Sequence, residues 1–89
     1  MHEMSLALEI CRITEEHVGT ARLGDVRVVA LEVGDDAGVE RANLEFCLEA
    51  LLGSPPFGAA RPVIEPAPGD VFRVKYLEVE DDGPDDRRT

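Results

Sequence analysis

Residues 25–53 read DVRVVALEVGDDAGVERANLEFCLEALLG, and the change of period inside this stretch decides the fold. From Asp25 to Val33 the chain is rich in β-branched residues. An extended conformation puts Val26, Val28 and Ala30 on one face and Arg27, Val29, Leu31 and Val33 on the other. Such a strand is apolar enough to be buried on much of both faces. Gly34, Asp35, Asp36 and Gly38 then form a turn. Val39 to Leu52 carries Leu44, Cys47, Leu48, Leu51 and Leu52 at helical spacing and stops at Gly53. A helix in this position acts as a crossover, which favours parallel pairing between the strand before it and the strand after it.

N-terminal to this stretch, Met4 to Val18 places Leu6, Ile10, Ile13 and His17 on one helical stripe, widened by Ala7, Cys11 and Val18. Glu9, Arg12, Glu15 and Glu16 face away, and Gly19 ends this amphipathic helix. Downstream, Ser54, Pro55, Pro56 and Gly58 form a loop, followed by a short strand from Ala60 to Glu65 around Val63 and Ile64. Val71 to Glu80 forms the last strand, with Phe72, Val74 and Tyr76 alternating against Arg73, Lys75 and Leu77. The short connection Pro66, Ala67, Pro68, Gly69, Asp70 predicts an antiparallel hairpin between the last two strands. The expected class is α+β: two helices on one face of a small three-stranded mixed sheet, in the order helix, strand, helix, strand, strand. Its open face and edges would want a partner, and a homo-oligomer is compatible with them.

Eighty-nine residues allow one domain with a thin core, expected over residues 1–80. Nine basic against nineteen acidic residues give a net charge of -10, which opposes binding to nucleic acid or to an anionic membrane. Glu78, Glu80, Asp81, Asp82, Asp85 and Asp86 concentrate part of that charge at the end, so residues 81–89 read as a solvated, disordered acidic tail. Cys11 and Cys47 lie in apolar stretches of separate helices and read as free, buried thiols. With no signal-peptide pattern and no apolar run of spanning length, the expected location is cytoplasmic. Gly34, Gly38, Gly53 and Gly58 match no nucleotide-binding fingerprint and read as turn and cap glycines.

The chain opens Met1, His2, Glu3, Met4. A free amine, the deprotonated His2 amide and the His2 imidazole can close adjacent chelate rings, leaving a fourth in-plane position for the Glu3 amide or carboxylate. Ni(II) and Cu(II) accept such square-planar nitrogen sites, whereas zinc prefers a tetrahedron. The amine is partly protonated at neutral pH, so binding should release protons and strengthen as pH rises. Nothing in the sequence suggests an enzyme. No nucleophile has a placed base, and His2 and His17 lie at opposite ends of one helix, roughly 20 Å apart.

MHEMSLALEI at the start, VVALEVGDDAGVERANLEFCLEALL in the middle and GDVFRVKYLEVE near the end resemble the hydrogenase nickel-incorporation proteins of the HypA/HybF family. The resemblance implies nickel at Met1, His2 and Glu3. It implies a carrier role in [NiFe]-hydrogenase maturation, with a nucleotide-hydrolysing nickel-insertion partner and the hydrogenase large subunit as partners. Family members also carry a zinc domain with two CxxC pairs between the last two strands. Here that place holds only Pro66 to Asp70, and no CxxC occurs, so no zinc is expected. His17 is a substitute ligand in principle, although a histidine on an apolar helix stripe is more often packed or half-exposed. The alternative is a metal-free, shortened paralogue acting as an interaction or scaffold module in the same pathway.

Overall fold

A computed structural model describes residues 3–80. Met1 and His2, two of the three predicted metal ligands, and the acidic tail 81–89 lie outside the described residues. In chain order the elements are helix α1 (Glu3–Val18), a 3-10 helix (Thr20–Asp25), strand β1 (Val26–Gly34), helix α2 (Arg41–Leu52), strand β2 (Arg61–Ala67) and strand β3 (Phe72–Val79). The predicted α+β class and element order are therefore observed. The 3-10 turn is an addition, and it buries Leu23 in the core. Among the described residues no helix is long and apolar enough to cross a membrane.

The sheet order is β2-β1-β3, with β1 parallel to β2 and antiparallel to β3. Parallel pairing follows from the crossover through α2, as expected. The predicted hairpin between the last two strands is corrected: β2 and β3 flank β1 on opposite sides and do not pair. The reason is burial. β1 is the most apolar strand, with Val26, Val29, Ala30, Leu31 and Val33 fully buried, and only the central position covers it from both sides. β2 carries Pro62 and Pro66, which lack the N–H that a central strand must donate, and so belongs at an edge.

Residues 68–71 must consequently cross over the end of β1, spanning two strand spacings, roughly 10 Å. They are clasped to the turn beneath them. Gly34 N donates to Val71 O at 2.6 Å, Asp35 N to Ala67 O at 2.8 Å and Asp36 N to Gly69 O at 2.8 Å. A Cβ at Gly34 would stand 2.1 Å from Gly69 O, so the crossing requires glycine at this point.

Two register shifts correct the predicted strand faces. Between Val26 and Val28, Arg27 is an extra residue in β1, so Val26 turns to the helix side and joins Val29, Leu31 and Val33 in the core. In β3, Val74 pairs with Leu31 but Tyr76 pairs with Ala30, leaving Lys75 as the extra residue. Beyond it the alternation inverts: Phe72, Val74, Leu77 and Val79 pack on the core, and Tyr76 is 41% exposed.

The core unites Ala7 and Ile10 of α1 with Leu44, Cys47, Leu48 and Leu52 of α2 and the helix-side residues of β1. The one buried polar side chain among the described residues, Thr14, donates its hydroxyl to Ile10 O at 2.9 Å. The opposite sheet face carries charge. Arg73 Nε donates to Glu32 at 2.8 Å and Lys75 Nζ to Glu65 at 2.8 Å, so a ladder of charges crosses all three strands. Glu65 also holds the Lys75 ammonium above its usual range.

Candidate metal site

Glu3 is the first residue of α1, and the helix begins where the first-turn N–H groups have no intrahelical partner. Its amide nitrogen can therefore serve a metal without breaking a helical hydrogen bond. Its carboxylate is already engaged. Oε2 accepts from Glu40 N at 3.0 Å and Oε1 from the Asn43 side-chain Nδ2 at 3.2 Å. Both partners belong to the start of α2, where Glu40 is the N-cap and its own Oε1 accepts from Asn43 N at 3.0 Å. These contacts fix the relative direction of the helices. The starts of α1 and α2 meet here, while Leu8, Cys11 and Glu15 face Leu51 and Ser54 across an apolar groove of about 310 Å³ near the other end.

Two parallel helices thus present their positive ends at one corner, which favours negative charge there. The Glu40 N–H and then the Asn43 amide hold the Glu3 carboxyl below the usual glutamate range, against a smaller opposing effect of burial. The sequence leaves two ligating modes open for Glu3, amide or carboxylate. Both carboxylate oxygens are engaged by α2, so ligation through the amide would leave that anchor in place.

Arg41 ties this corner to the end of β1, donating to Val33 O at 3.3 Å and to Asp35 at 3.2 Å. Since Asp35 and Asp36 in turn hold Ala67 and Gly69, the connection between β2 and β3 reaches the same end of the molecule as Glu3.

His17 stands apart. It is exposed in the last turn of α1, fourteen residues from Glu3, or roughly 21 Å along the helix axis. Its Nδ1 lies 3.1 Å from Ile13 O, which makes Nδ1 the donor and leaves Nε2 to the groove between α1 and β3. Cys47 is buried and Cys11 half-buried, both as free thiols, and burial raises the Cys11 pKa. Among the described residues no three His, Cys, Asp or Glu side chains cluster for a metal ion.

Sequence reasoning did not find Asn43 or Glu40. A capping pattern at Glu40 could have marked the start of α2, but nothing local joins Asn43 to Glu3 across forty positions. Only the parallel packing of the helices does.

The family model described as hydrogenase/urease nickel incorporation, metallochaperone, HypA matches residues 1–73. The hydrogenase maturation factor HypA of Geobacter metallireducens is 42% identical over 69 residues, covering 78% of this chain and 60% of that protein. The protein of the same name from Azotobacter chroococcum is 42% identical over 66 residues, covering 73% and 58% respectively. The chain thus spans about three fifths of the length of these curated relatives. The solution structure of the Ni metallochaperone HypA from Helicobacter pylori superposes with a TM-score of 0.71, at 14% identity, over 89% of this chain and 97% of that one. At that identity the likeness establishes the fold.

Proposed function

The chain belongs to the HypA family of hydrogenase/urease nickel-incorporation metallochaperones, and we propose that it is a nickel carrier serving [NiFe]-hydrogenase maturation in the cytoplasm. Ni(II) is its cargo. It is taken up by the Met1 amine, the His2 amide and imidazole, and the Glu3 amide. The proposal assigns no catalysis, no zinc and no nucleic-acid contact to residues 1–80, with 81–89 as an acidic appendage. Its partners are a nucleotide-hydrolysing nickel-insertion protein and the hydrogenase large subunit, to which nickel passes by exchange of one ligand at a time.

The observation that carries this reading is the state of Glu3. Its carboxylate is held by α2 while its amide has no intrahelical partner, an arrangement that supports a nitrogen chelate at the chain start. Titration of untagged protein with Ni(II) by calorimetry tests it. His2→Ala and a short peptide extension before Met1 are each expected to abolish binding and the diamagnetic square-planar spectrum. Unchanged affinity in both variants would remove the chelate from the account.

A further inference from the structure

We propose that Asn43 is a positioning residue for nickel, acting through Glu3; this rests on the N-terminal chelate proposed above and adds a residue that is not a ligand. A chelate built on a chain terminus must immobilise freely rotating bonds, and whatever fixes them beforehand raises affinity. Glu3 is the residue where the chelate joins the folded body. Its backbone nitrogen belongs to the chelate and its carboxylate to α2.

Asn43 has a double part in that joint. Its side-chain Nδ2 donates to Glu3 Oε1 at 3.2 Å and its backbone N donates to Glu40 Oε1 at 3.0 Å. It therefore gives each of two neighbouring carboxylates a donor and keeps like charges at one corner compatible. Without Asn43 the Glu3 carboxylate would keep only one of its two bonds to α2 and be freer to rotate.

A role confined to helix α2 makes a different prediction. Asn43 is exposed in the first turn of α2, and asparagine is a weaker helix former than alanine. If it served the helix alone, Asn43→Ala would leave stability unchanged or raised and nickel binding untouched. As a positioning residue, its loss falls on the metal.

The test is Ni(II) titration of the untagged full chain as parent, Asn43→Ala, Glu3→Ala, the double variant and His2→Ala, with urea unfolding of each apo protein. Asn43→Ala is expected to weaken nickel binding by about 10-fold, as loss of groups that orient metal ligands does. Its square-planar absorption band should stay in place, since no ligand changes. The double variant should bind no more weakly than Glu3→Ala, because Asn43 has nothing left to act on. Parent-like affinity in Asn43→Ala, additive losses in the double variant, a shifted band, or a loss of affinity that merely tracks a loss of stability would each overturn the proposal. His2→Ala separates the two layers. If it abolishes binding while Asn43→Ala does not weaken it, only the positioning role falls; if it retains binding, the chelate itself falls.

Discussion

The Glu3 carboxylate ties the start of α1 to the start of α2, and the proposed chelate uses the amide of the same residue, so the anchor and the proposed metal site should respond differently to pH. Its carboxyl is held below the usual range by the Glu40 N–H and then by Asn43. The folded-state value lies below the unfolded one, so this contribution to stability is complete above the ordinary glutamate pKa of about 4.3. It disappears as pH falls through the lowered value. The difference in urea midpoint between the parent and Glu3→Ala should therefore be constant from pH 7 to 5 and shrink below about pH 4. A difference that grew on acidification would contradict the anchor. Nickel binding should fade at higher pH than this, because the terminal amine and the amide nitrogens must lose protons first.

The Cys11 thiol is open to a chemical test. Burial raises its pKa, so less thiolate is present at a given pH. At pH 8 its alkylation by iodoacetamide should run several-fold slower than that of a free cysteine peptide, with Cys47, which is more deeply buried, slower still. Denaturant should equalise the two. Reaction of Cys11 at the peptide rate in native protein would show the thiol to be open to solvent.

At the level of elements, the crossing between β2 and β3 makes the sharpest prediction. Gly34→Ala would drive a Cβ to 2.1 Å from Gly69 O and 2.8 Å from Val71 N, both backbone atoms that cannot step aside. The expected cost is about 3 kcal/mol, at the upper end for overpacking, measured as a shift in urea midpoint. Gly69→Ala meets no atom within 4 Å but must adopt a φ of +76°, so its cost should be smaller, about 1–2 kcal/mol. Equal effects would mean that strain and crowding are misassigned.

The same crossing marks the limit of what could be read beforehand. Strand and helix identities were legible because the period changes cleanly at Gly34. The side-chain alternation was legible on either side of each extra residue and wrong across it, at Val26 before Arg27 and at Tyr76 after Lys75, since each extra residue turns the chain over and leaves no mark in composition. A five-residue connection reads as a hairpin, yet the apolar length of β1 and the prolines of β2 already contained the argument for β1 at the centre. Of the candidate site, the sequence offers Met1, His2 and Glu3, and Glu3 is the one among them that the structure describes. The Asn43 contact was not, because it arises from packing between distant segments.

For the molecule as a whole, these contacts concentrate at one end. Glu3 holds Glu40 and Asn43, Arg41 holds Val33 and Asp35, and Asp35 and Asp36 hold the connection at Ala67 and Gly69. The candidate nickel corner and the place where the resemblance puts an inserted domain are thus joined through the turn after β1. The join is not a dependence, because the Glu3 anchor uses only α1 and α2. Lengthening the connection by about ten Gly/Ser residues between Pro68 and Gly69 adds a closure cost that grows only with the logarithm of length, about 1 kcal/mol. Losing clasp hydrogen bonds adds a contribution of about 1 kcal/mol each. A domain of this size has about 5–15 kcal/mol in total, so the lengthened chain should still unfold cooperatively in urea, with a lower midpoint. Its nickel affinity should stay within about threefold of the parent, a difference of roughly 0.6 kcal/mol. Loss of cooperative unfolding would make the short crossing a condition of the fold, and a large loss of affinity in a protein that still folds would tie the metal corner to the connection.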